Sequence, residues 1–285
     1  MTLTESLSAR VRTSVVSAII STSATFRQFL CYSAITISQA ISGTIGLVKN
    51  GIGGLTLSGV CNYTGRTIIN EGTLTVTGAS VLNGVISGSG SLTKTGTAVL
   101  TIGGNNTYSG GTSFVSSGLA GYIEYASSNA FGTGVFTVSN AAGRIDTGGN
   151  VTLANNFQIN STSLQYRTIG ANTITVTGNI AGTGGVNKTG NGILLLSGTL
   201  TYTGQTIITS GSIRASKTTG TSTATASFVT TATLSVSFNV PPDAGTQTFR
   251  FFQGSTSRTY TAVTLVNAPG RTATYNSTTS TLTVT

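Results

Sequence analysis

The sequence predicts an all-β fold, a parallel β-helix, on three observations: an internal repeat, apolar alternation of period two inside it, and glycines at fixed offsets. The repeat is clearest at 86–119, ISGSGSLTKTGTAVLTIGGNNTYSGGTSFVSSGL, and it recurs twice. With Lys94 set over Lys49 and Lys188, the three copies align without a gap. Ile41, Ile86 and Ile180 fall together, as do Gly43, Gly88 and Gly182. So do Leu55, Leu100 and Leu194; Gly59, Gly104 and Gly198; Tyr63, Tyr108 and Tyr202; and Thr67, Thr112 and Thr206. Repeats of this length decide an architecture before any single residue does.

Each copy holds short runs such as Leu55-Thr56-Leu57 and Leu74-Thr75-Val76 between Gly, Asn and Ser. Alternation sends one set of side chains inward and the other outward, which is strand behaviour. The runs are too short and too β-branched for helices. One unit cannot bury its apolar face alone, whereas stacked copies can, each strand pairing with its equivalent in the next coil. A unit of about 45 residues reads as two coils of roughly 22 residues each, with glycines at the corners. Residues 38–217 would then make about eight coils, a rod of about 40 Å at the usual strand spacing. Because the second and third lysines lie twice as far apart as the first two, a degenerate copy is expected between them.

The segment GSGSLTKTGTAVLTIGGNNTYSGGT resembles the autotransporter-associated β-strand repeat of bacterial surface-protein passengers. The likeness covers about 35 residues in each of three places and rests on Lys-Thr-Gly, Leu-x-Ile/Leu, Asn/Thr-Tyr-x-Gly and Gly-x-Leu elements. It implies a right-handed β-helix on an exposed surface and carries no catalytic residues. The tail, with its TFxxF-, TAVTL- and TLTV-like elements, resembles the segment that often closes such proteins.

Three domains are expected: 1–37, an N-terminal helical cap or anchor; 38–217, the repeats; and 218–285, a C-terminal β domain. At the start, Thr2 and Glu5 have capping-box spacing, and Leu7, Val11, Val15 and Ile19 share one face at four-residue steps. The apolar run at 15–20 is short and interrupted, so the segment reads as an amphipathic helix and not as a secretory leader or a membrane span. The helix would cap the open end of the β-helix or dock on another protein. The coils at 120–179 lack the Lys-centred motif but keep the pattern, as in 134–138 and 172–178. The polar stretch at 216–227 is the boundary. Beyond it, Leu234 to Phe238, Thr248 to Phe252, Tyr260 to Val266 and Thr281 to Val284 are read among about five strands with hairpin-like turns.

Composition narrows function. Only 7% of residues are charged, there is no His or Trp, and the net charge is +9. The basic residues are scattered, without the aromatic interleaving of a nucleic-acid groove. Without His, neither a Ser-His-Asp nor a Cys-His arrangement can exist. Cys31 and Cys61 read as two reduced, partly buried thiols, and no metal or cofactor set is expected. The acids are Glu5, Glu71, Glu124, Asp146 and Asp243. Only Glu124 and Asp146 suggest a pair one coil apart of the kind a glycosidase needs, and exposed corner residues are the simpler reading. Ser91-Leu-Thr-Lys94 matches a Ser-x-x-Lys pattern, but it falls in a strand-like repeat and not at a helix start.

Two rows remain as candidate binding residues: Tyr63, Tyr108 and Tyr202, and Lys49, Lys94 and Lys188. If outward, they would stack on sugar rings or meet anionic groups; otherwise Tyr packs at a corner and Lys is solvated. The expectation is a non-enzymatic structural or adhesive surface protein, with no nucleic acid and no membrane span. The setting preferred on sequence is a virion surface, as a fibre, tailspike-like or capsid decoration protein, assembled as a homotrimer. The alternative is a passenger-like adhesin at the bacterial cell surface, and a polysaccharide depolymerase is a more distant one. Partners would be other virion or cell-surface proteins, through the N-terminal segment, and surface glycans.

Overall fold

A computed structural model describes residues 19–22 and 26–215, and the strands Thr225–Phe228, Leu234–Ser237, Gln247–Arg250, Val263–Val266, Ala273–Asn276 and Thr281–Val284. Every regular element among them is a strand. The chain divides into two compact units, Met1–Thr137 and Val138–Thr285. Each is a parallel β-solenoid.

In the first unit three short strands make one coil. Gly46–Asn50, Thr67–Ile69 and Ile86–Ser87 stack on one face. Ile35–Ile37, Gly54–Leu57, Thr73–Val76, Ser91–Thr95 and Thr112–Ser116 stack on the next. Ser80–Leu82, Leu100–Ile102 and Ile123–Tyr125 form the third. Like residues meet across coils: Leu55 pairs with Leu74 and Leu92 with Leu74. All three are fully buried, and each contributes about 1.5–3 kcal/mol relative to an exposed side chain.

The coil is shorter than the sequence suggested. Registers Leu47 to Thr67 and Thr67 to Ile86 give turns of 20 and 19 residues, and Leu55 to Leu74 again gives 19. The 45-residue repeat is therefore two coils plus one face. As a result Lys49 lies in the strand Gly46–Asn50 on the first face, while Lys94 lies in Ser91–Thr95 on the second. Equivalent residues of the first two copies advance around the solenoid and do not stack.

The second unit repeats the scheme. Gly143–Thr147, Ser163–Thr168, Gly185–Thr189, Gln205–Ile208 and Thr225–Phe228 form one parallel sheet. Val151–Leu153, Thr173–Val176, Ile193–Leu196 and Ser212–Ala215 form another. Ile174, Leu194 and Ile213 stack with registers of 20 and 19 residues. Farther along, Leu234–Ser237 pairs with Val263–Val266 in parallel, not through a hairpin turn. Antiparallel pairing appears where Thr281–Val284 lies between Gln247–Arg250 and Ala273–Asn276.

At the start of the chain, the predicted amphipathic helix meets a correction at its last member. Ile19 lies in the strand Ile19–Thr22, antiparallel to Phe26–Leu30, with Leu30 as its register partner. Two adjacent isoleucines favour a strand, and the free edge of Phe26–Leu30 offers the partner. Leu7, Val11 and Val15 lie outside the described residues.

Candidate functional site

The six residues singled out as binding rows all point into the solenoids. Lys49, Lys94 and Lys188 are fully buried, and Tyr63, Tyr108 and Tyr202 are at most 1% exposed. They cannot stack on sugars or meet anions, and the lysines are not solvated either. The reason is strand parity: Leu92 points inward, so Lys94, two residues on, must do so as well.

What the lysines do instead is close corners. Lys94 Nζ donates to the carbonyl oxygens of Thr95 (2.6 Å) and Gly96 (3.0 Å). Lys188 Nζ donates to Thr189 O (2.5 Å), Gly190 O (2.8 Å) and Thr168 Oγ1 (3.1 Å). Lys49 Nζ reaches Gly51 O (2.6 Å), Asn50 O and Glu71 O (both 3.1 Å). In each copy the glycine two residues after Lys has a positive φ, 78° at Gly51, 76° at Gly96 and 75° at Gly190. That conformation, costly for any side chain, accompanies a carbonyl aimed back at the ammonium. The ammonium thereby supplies donors to turn carbonyls at the corner, adding to the Cys31 N–H that already reaches Asn50 O.

Burial disfavours the charged amine and brings Lys94 and Lys188 down to about 8. Lys49 is lowered too, by burial, with Cys31 and Glu71 opposing the shift. Each lysine sits between apolar neighbours: Val76 and Phe114 flank Lys94, and Tyr166 and Ile208 flank Lys188.

The tyrosines form a second repeated device. Tyr63, Tyr108 and Tyr202 each share a hydrogen bond with the threonine four residues on, Thr67, Thr112 and Thr206, at 2.7, 2.5 and 2.5 Å. Burial raises all three hydroxyls, with Tyr202 pushed up to about 12. Both devices are interior architecture, and any contact with a partner must be made by outward positions.

Two outward surfaces differ from the rest. In the first unit Thr36, Thr56, Thr75, Thr93 and Ser113 are consecutive register partners along one face. In the second, Asp146 lies between two arginines, with Arg144 Nε 3.1 Å from Oδ1 and Arg167 Nη1 2.9 Å from Oδ2. Asp146 is 1% exposed because those arginines cover it, so it is not the exposed corner residue that the sequence suggested. Glu71 is exposed and Glu124 half-buried, while Glu5 and Asp243 lie outside the described residues. The Ser-x-x-Lys pattern dissolves, since Ser91 faces outward and Lys94 inward. Both cysteines are free and buried, with their thiols raised by burial.

Comparison with known families gives one result. Residues 47–76, 92–118 and 186–215 match the passenger-associated-transport-repeat. No curated protein and no solved structure matches the chain. Each matched stretch contains one of the buried lysines, and the repeat recognised in the sequence is thus a passenger-type β-helix repeat.

Proposed function

We propose that the chain is a non-enzymatic, passenger-type adhesin displayed at a bacterial cell surface, its solenoid serving as a scaffold for outward side chains. The observation that carries this is the threefold match to the passenger-associated-transport-repeat on a parallel β-solenoid. It favours the cell surface over the virion preferred from sequence. The interior use of every repeated Lys and Tyr supports the same reading, because the motif then specifies a scaffold and leaves binding to the variable outward positions. The ion-paired state of Asp146 speaks against a depolymerase.

The test is protease shaving of intact source cells, followed by detection of the chain with an antibody. Loss of signal without lysis is expected. Signal that resists protease until the cells are broken would overturn surface display, and signal confined to purified phage particles would return the virion setting.

A further inference from the structure

The outward positions of the second face of the first unit carry a central column of hydroxyls, flanked by mixed columns that include Gly54 and Val115. Thr36, Thr56, Thr75, Thr93 and Ser113 make an unbroken column over five strands. On one side of it Thr73 and Ser91 are register partners and share a hydrogen bond of 2.9 Å. On the other, Thr77 and Thr95 follow the register partners Val76 and Lys94. Within these five strands the sole charged residue is Lys94, and it points inward, as does the sole aromatic, Phe114.

The sheet that carries the column is regular in two directions, with steps of about 4.8 Å between strands and about 6.7 Å between like-facing positions along each strand. Every threonine presents one methyl and one hydroxyl. The middle column's hydroxyls make no hydrogen bond to other side chains or to carbonyls among the described residues, so each keeps a donor and two acceptor sites. Methyls restrict neighbouring water and hydroxyls join it. Methyls and hydroxyls alternating at strand spacing suit a layer of water ordered on the protein's own repeat.

We infer that this face binds ice, docking the chain on a crystal surface through ordered water. Charge selects the ligand class: a face without charge in a chain of net charge +9 offers nothing to an anionic glycan or an acidic protein. With no outward aromatic there is no platform for sugar rings. A two-dimensional periodic face fits a two-dimensional periodic ligand. The biological use of such a face rests on the surface-display reading above, but its measurement does not. A chain without ice activity would leave display standing, and a chain hidden inside the cell could still be active on ice when purified.

The experiment is ice shaping and inhibition of ice recrystallisation by the purified full chain. The variant Thr75→Tyr puts a bulky ring in the centre of the column. Thr152→Tyr, at an exposed outward position of the second unit, is the control. Circular dichroism and urea midpoints verify that both variants fold. Faceted ice and small grains are expected for the wild type and Thr152→Tyr, with loss in Thr75→Tyr. Wild type without effect on ice, or Thr75→Tyr as active as wild type, overturns the inference. Binding to insoluble cellulose or chitin without ice activity would assign the face to a neutral polymer instead. A dimer that Thr75→Tyr dissociates would assign it to a second copy of the chain.

Discussion

The first unit's second face and the second unit's outward face around Asp146 are built on the same parallel strands and used in opposite ways. On the former, the central column of Thr36, Thr56, Thr75, Thr93 and Ser113 carries hydroxyls that bond to nothing among the described residues. On the latter, Asp146, Arg144 and Arg167 are engaged with one another across the strands. Even the second unit's nearest equivalent column soon departs from threonine, running Thr152, Thr175, Leu195 and Arg214. An outward residue can thus belong to the protein or to what lies beyond it, and stability measurements separate the two.

The largest effects should be common to both units and so mark what they share. Lys188→Met takes the ammonium from two carbonyls and from the Thr168 hydroxyl, which keeps only the Gly192 N–H as donor, a loss of about 2–3 kcal/mol in urea unfolding. Lys94→Met, with two carbonyls orphaned, should cost about 1–2 kcal/mol. If either variant is as stable as wild type, the lysine corners are not structural.

Next comes the charged face. Asp146→Ala removes the carboxylate that joins two arginines, and because Arg167 is 44% exposed the loss is moderated by solvent to about 1–2 kcal/mol. Added salt should narrow the difference between wild type and variant.

Raising the pH separates the interior groups by sign. With a folded-state value of about 8 against an ordinary 10.5, Lys94 and Lys188 bind protons more weakly in the folded chain. Stability should therefore rise between pH 8 and 10.5. The tyrosines are raised above their ordinary 10.0, so they keep their protons when folded, and stability should fall as pH passes through that value. Lys94→Met should flatten the rising limb and leave the falling one, as followed by urea midpoints across this range.

The smallest effect is the most telling contrast. Thr75→Ala should change stability by no more than about 0.5 kcal/mol, although it sits mid-strand in a well-packed sheet. A larger loss would place Thr75 with Asp146, among residues the fold requires.

Much of this was legible in the sequence. The runs at Leu55-Thr56-Leu57 and Leu74-Thr75-Val76 announce strands, and the repeated glycines announce corners. The coil length was not, because a duplicated unit invites the assumption of whole coils, whereas the register alone shows two coils and a face. Lys94 was misjudged because an isolated lysine is ordinarily solvated. Its parity with Leu92 and the glycine two residues on were the available signals. The Asp146 cluster was half legible: Arg144 and Asp146 share a strand face by parity, whereas Arg167, 21 residues on, meets Asp146 only through strand pairing.

The fractional advance of the repeat also limits how such a chain can change length by recombination. Duplicating one whole 45-residue copy inside the first unit would bring the next copy's strand to a different side, as it did for Lys49 and Lys94. The threonine column could not be extended that way. It grows only by insertions of a single turn, about 20 residues, and natural length variants that retain the column should differ by that increment.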